Sequence, residues 1–75
     1  MELNHIVRVA RTAKKLRGTG PLSTGESLAA AIVLNKPGWL KGMGYTLAEA
    51  INRADDDGQT VPRLLQAQKI IAEEA

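Results

Sequence analysis

The chain has 75 residues, 44% of them apolar, with no cysteine and a net charge of +2. That length holds one hydrophobic core, so residues 1–75 are expected to form a single helical domain, and the apolar content argues against disorder as the default. Without cysteine there is no disulfide framework, no thiolate metal site and no cysteine nucleophile.

The core must be aliphatic, because the chain contains no Phe, one Trp (Trp39) and one Tyr (Tyr45). Charge is unevenly spread. Residues 1–36 carry six basic side chains against two acidic ones, a net of +4, whereas residues 37–75 carry four against six, a net of −2. The longest apolar run, Leu28 to Leu34, is far below the roughly 20 residues that span a bilayer, and residues 1–5 show no signal-peptide pattern. The expectation is a cytoplasmic protein with no membrane segment.

The periodicity predicts a first helix over 3–16. Leu3, Ile6, Val7, Ala10 and Ala13 recur at helical spacing, and Val9 and Leu16 widen the stripe. Arg8, Arg11 and Lys15 fall on the opposite face. Gly18 and Gly20-Pro21 break the helix. Ser23-Thr24-Gly25-Glu26 is a capping box, in which the Ser23 hydroxyl and the Glu26 carboxylate each accept the other residue's amide. It opens a second helix over 24–35 whose residues 28–34 are all apolar. A helix without a polar face is normally buried, so this one is expected at the centre. Asn35-Lys36-Pro37-Gly38 ends it, and a short helical turn is expected near 37–43.

Thr46-Leu47-Ala48-Glu49 is a second capping box, opening a helix over 47–54 with Leu47, Ala50, Ile51 and Ala54 on one face. Asp55-Asp56-Asp57-Gly58 reads as a solvated acidic turn. A last helix over 61–73 places Val61, Leu64, Leu65, Ile71 and Ala72 inward, with Gln68 among them and proline tolerated in its first turn. Ile70 falls about half a turn away, between Arg63, Gln66, Glu73 and Glu74. No segment alternates with period two. The fold expected is all-α, a single compact bundle of four helices plus the short turn.

Few residues are placed for chemistry. His5 is the sole histidine. Counted from Asp55, a calcium loop would need glycine sixth and glutamate twelfth, where the chain has Thr60 and Gln66. The glycine-rich stretch 18–25 lacks the lysine of a phosphate loop, and no strand precedes it. Ser23, Glu26 and Glu49 are accounted for by capping. No catalytic, metal or cofactor site is expected, and the chain is read as a non-enzyme.

Two kinds of partner remain. A protein partner is favoured, through Trp39, Met43 and Tyr45 in the Gly-rich connection and through Ile70, because aromatic residues and Met are enriched in interface cores. A chain this small also gains by burying residual apolar surface in a homodimer, and Ile70 marks the expected place. The alternative is nucleic acid, held by Arg8, Arg11, Lys14, Lys15 and Arg17. Trp39 to Ile51 looks locally like a helix-turn-helix with Gly44 at the turn, and the segment that follows resembles the corresponding region of phage-repressor-like domains. Against that resemblance, Arg53 falls where the motif wants an apolar residue, and three aspartates would face phosphates. In size and style the chain is similar to small phage and plasmid accessory proteins, which implies an adaptor or inhibitor and assigns no residue a role.

Overall fold

The computed structural model describes residues 1–55 and 58–74. It contains α1 (Leu3–Leu16), α2 (Thr24–Val33), α3 (Pro37–Gly42), α4 (Leu47–Ala54) and α5 (Thr60–Glu73), with no strand among the described residues. The expected four helices and the short turn between the second and third are all present. Asp56 and Asp57 of the acidic turn lie outside the described residues.

α2 packs against each of the other four helices, while α1 also packs on α5 and α3 on α4. Its alanines explain how one helix serves so many neighbours. Ala29, Ala30 and Ala31 are fully or almost fully buried, and so are Ala10, Ala13, Ala50 and Ala67 on the surrounding helices. Short side chains on both partners let backbones approach closely. Two apolar clusters form around this seam. Ile6, Val7, Ala10, Ala29, Val33, Leu64, Ala67 and Ile71 join α1, α2 and α5. Leu28, Ala31, Leu40 and Ala50 join α2, α3 and α4, and Ile32 packs against both clusters.

Both capping boxes form. Ser23 N–H donates to Glu26 Oε1 (2.9 Å) and Glu26 N–H to Ser23 Oγ (3.3 Å). Thr46 and Glu49 repeat the arrangement at 3.0 and 3.2 Å. Glu26 has a second task, since its Oε2 lies 2.6 Å from His5 Nε2 and so fastens α2 to α1. At α5 the buried Thr60 donates its amide to Asp55 Oδ1 (3.1 Å), which gives one carboxylate of the acidic turn a structural role.

Three helices end by one backbone device. The amide two residues beyond the last turn reaches back to a carbonyl five residues earlier, around a residue with positive φ. Gly18 N–H reaches Ala13 O (3.1 Å) around Arg17, Lys36 N–H reaches Ala31 O (2.8 Å) around Asn35, and Tyr45 N–H reaches Leu40 O (2.9 Å) around Gly44. The φ values are 57°, 54° and 81° respectively. α2 therefore stops at Val33, two residues short of the expected Asn35: Lys36 precedes Pro37 and is driven out of the helical region (φ −114°, ψ 73°).

Five residues expected to face inward are on the surface. Leu16, Leu47, Val61, Leu65 and Ala72 are exposed, Leu47 and Leu65 at 57% each. α4 meets α2 through Ala50, which with Ala54 is buried on its inner face, and α4 and α5 are not closely packed on each other. Leu47, Val61 and Leu65 face the gap between them. Ile70 departs in the other direction. The expectation placed it on a solvated charged face and at a dimer contact, yet it is half-buried against the α1–α2–α5 cluster. α5 is covered on two sides, and the row Arg63, Ala67, Ile70, Glu74 belongs to its α1 side, where Arg63 donates to Met1 O (3.1 Å) and Glu74 pairs with Arg11.

Two outcomes follow from this packing. Leu28→Ala removes a fully buried side chain and should lower unfolding free energy by about 2–5 kcal/mol, whereas Leu65→Lys should stay within about 0.5 kcal/mol of the parent; urea titrations distinguish them. The second concerns pH. Hydrogen bonds from the Ser23 amide and then from His5 hold Glu26 below the ordinary carboxylate range, and the Thr46 amide does the same for Glu49. Folded values below unfolded ones mean stabilisation that is complete above the unfolded carboxylate pKa of about 4.3 and lost as pH falls through the lowered folded values. The urea midpoint should therefore drop on acidification across that window, and Glu49→Gln should flatten part of the drop.

Candidate functional site

Two concavities lie side by side. The larger is a cleft of about 780 Å³ bounded by the C-terminal ends of α1 and α2, the start of α3 and the last turns of α5. Lys14, Arg17, Lys36 and Trp39 line it, together with Asn35, Gln68 and Glu74 and an apolar floor that includes Ala13, Val33 and Ile71. The smaller is a groove of about 300 Å³ where α4 and α5 diverge over α2. Its buried residues are Ala31, Leu40 and Leu64, and Leu47, Ile51, Val61 and Leu65 form its sides. Asn35, Lys36 and Gln68 line both, so the two are contiguous.

The ridge between them is fixed by α5. Gln68 Nε2 donates to Ile32 O (2.9 Å), a carbonyl at the end of α2 that also accepts from Asn35 N–H. That bond explains why a polar residue sits within the inward row of α5.

Electrostatics favour an anion in the cleft. Lys14, Arg17 and Lys36 are exposed, and no carboxylate among the described residues pairs with them. The C-terminal ends of α1, α2 and α5 each contribute roughly half a negative charge, about one and a half in all, against three cations. The lining carboxylate, Glu74, is occupied. Arg11 Nε donates to its Oε2 at 2.9 Å and a second guanidinium nitrogen contacts the same oxygen. This pairing raises the Arg11 pKa and, with a smaller contribution from Lys14, lowers that of Glu74.

The expected site residues are thus regrouped. Lys14 and Arg17, candidates for nucleic acid, share a cleft with Trp39, a candidate for protein. Arg11 is committed to Glu74, while Arg8 and Lys15 are exposed on α1 and line neither concavity. Trp39, Met43 and Tyr45 are half-buried against the α2–α3–α4 cluster, with Trp39 also facing the cleft and Tyr45 the groove. Ile70 lines neither. Lys36, Leu47, Val61 and Leu65 were not among the expected site residues. Among the described residues no three His, Cys, Asp or Glu side chains are grouped to hold a metal ion, and no helix is long and apolar enough to cross a membrane. No protein-family model matches the chain, and neither a curated protein nor a solved structure matches it.

Among the described residues, the non-glycine residues with positive φ are Arg17 and Asn35, and both line the cleft. Asparagine tolerates this conformation; for arginine it costs roughly 1–2 kcal/mol. Glycine at position 17 relieves that strain but adds freedom to the unfolded chain. Arg17→Gly should therefore leave the protein as stable or stabilise it by up to about 1 kcal/mol, read from the urea midpoint at constant m-value.

Proposed function

We propose that this protein is a small non-enzymatic binding module whose partner is another protein. The observation that carries this reading is the convergence of Leu47, Val61 and Leu65 on one groove. Single exposed aliphatic residues are ordinary, but a set gathered around a concavity with an apolar floor is a docking surface. The neighbouring half-buried Trp39 and Tyr45 are of the types that dominate binding energy at protein interfaces.

Duplex DNA is the competing reading, and the placement of its elements disfavours it. The helix-turn-helix-like pair α3–α4 and the basic helix α1 both pack on α2, and α1 is not closely packed on either of them. The first turn of α4 presents Leu47, Ala48 and Glu49, and the carboxylate of Glu49 is already held in its capping box. A recognition helix that offers an apolar residue and an anion to phosphates is poorly suited to the backbone contacts that dominate DNA affinity.

Site-specific photocross-linking tests the reading. A photoreactive residue at position 65 should trap a discrete heterologous protein in cells, and Leu47→Lys should abolish the adduct. The same residue at position 8, on the exposed face of α1, should not trap that protein. Equal labelling from both positions, nucleic acid as the trapped species, or an adduct only with a second copy of the chain would each overturn it.

A further inference from the structure

We infer that the groove and the cleft are one continuous site for an acidic amphipathic segment of the partner, with apolar side chains seated on Leu47, Val61 and Leu65 and carboxylates among Lys14, Arg17 and Lys36. The inference rests on the protein-binding reading above and specifies the chemistry of what is bound.

Three observations carry it. The first is continuity, because Lys36 and Gln68 line both concavities and Gln68 is bonded to α2 on the ridge between them. A ligand leaving the apolar groove across that ridge meets a cation at once. The second is charge. The cleft holds three exposed cations that no carboxylate among the described residues pairs with, and their sum exceeds the opposing helix dipoles. Glu74 shows what such a rim accepts, since its carboxylate sits there beside Arg11. The third is the backbone at Arg17. Its φ of 57° is one that glycine adopts without strain, and glycine stands one position later at Gly18. A strained arginine in a glycine-favouring position, lining a cationic cleft, is accounted for by a carboxylate of the partner, which its planar guanidinium would grip in a bidentate pair.

A cleft of cations alone would suit phosphates equally well. The adjoining groove decides between them. It offers aliphatic side chains, which a nucleic acid backbone cannot use, whereas an amphipathic helix carries apolar and acidic residues on adjacent faces.

The test is to select helical peptides from a displayed random library on the immobilised full chain. The selected peptides are then measured by fluorescence anisotropy against Leu47→Lys/Leu65→Lys, Lys14→Glu/Arg17→Glu/Lys36→Glu and Arg17→Gly, each checked for helicity by circular dichroism. All the altered residues are exposed. The expected result is peptides that combine Asp or Glu with Leu, Ile or Phe at helical spacing. Their affinity should fall at least tenfold in both multiple variants and by a smaller factor in Arg17→Gly, whose fold remains intact. Apolar peptides without acidic enrichment, lost in the leucine variant but bound unchanged by the charge-reversed one, would overturn the inference and leave the protein-binding reading standing. Failure to select any peptide, with a fluorescein-labelled mixed-sequence duplex bound at low salt and released by the charge reversal, would overturn both. So would failure to select any peptide together with a concentration-dependent dimer lost in Leu65→Lys.

Discussion

The close approach of α2 to four neighbours is the constraint from which the rest of the architecture follows. A chain with no Phe and a single Trp cannot fill a wide core, so it builds a narrow one. Alanines 29, 30 and 31 lie at the centre and other alanines face them, and the stabilisation comes from many contacts at short range rather than from a few large side chains. Larger residues occupy the margins of this seam. Ile6 and Leu28 are wholly buried, Ile32 serves both clusters, and the half-buried Trp39, Met43 and Tyr45 close the α3–α4 side.

The same economy creates the candidate site. α4 is drawn onto α2 through Ala50, and α5 through Leu64, Ala67 and Ile71, so each helix is anchored to the centre and neither is held closely by the other. The space left between them is lined by the larger residues that flank the small contact points. The cleft has a related origin. α1 and α2 end beside one another: Lys14 lies in the last turn of α1, where basic residues are favoured, Arg17 is its C-cap, and Lys36 is the N-cap of α3 just beyond α2, so all three are gathered where two helix ends meet. Residues from three separate segments thus form one charged surface.

Much of the fold was legible because its punctuation is explicit. Ser23 and Thr46 begin capping boxes, Pro37 halts one helix and Gly44 another, and the uninterrupted apolar run 28–34 identifies the central helix. The site was less legible for a geometric reason. Periodicity states which residues share a face but not what stands opposite that face. Leu47 and Leu65 fall at inward spacing, yet the helix that would cover them is anchored elsewhere. Ile70 falls among charged residues, yet two of them, Arg63 and Glu74, bond to Met1 and Arg11 on the α1 side. Arg11 and Glu74 are separated by 63 positions, and nothing local to either signals that they meet. The two candidate sets, basic residues of α1 and aromatics of the 39–45 connection, join in one cleft only through the tertiary arrangement.

The hydrogen bond from Gln68 to the Ile32 carbonyl has an implication for the order of assembly. α2, α3 and α4 are consecutive, and their mutual contacts close short loops. α5 must instead return across the chain to meet α1, which is the contact of greatest sequence separation and hence the largest entropic demand. Gln68, Val61 and Leu65 all belong to α5, so the proposed binding surface is complete only when α5 is docked. On the proposed reading, a partner seated across the ridge selects against conformers in which α5 has detached. Occupancy and completion of the fold would then form a single equilibrium, with the last helix as the link between them.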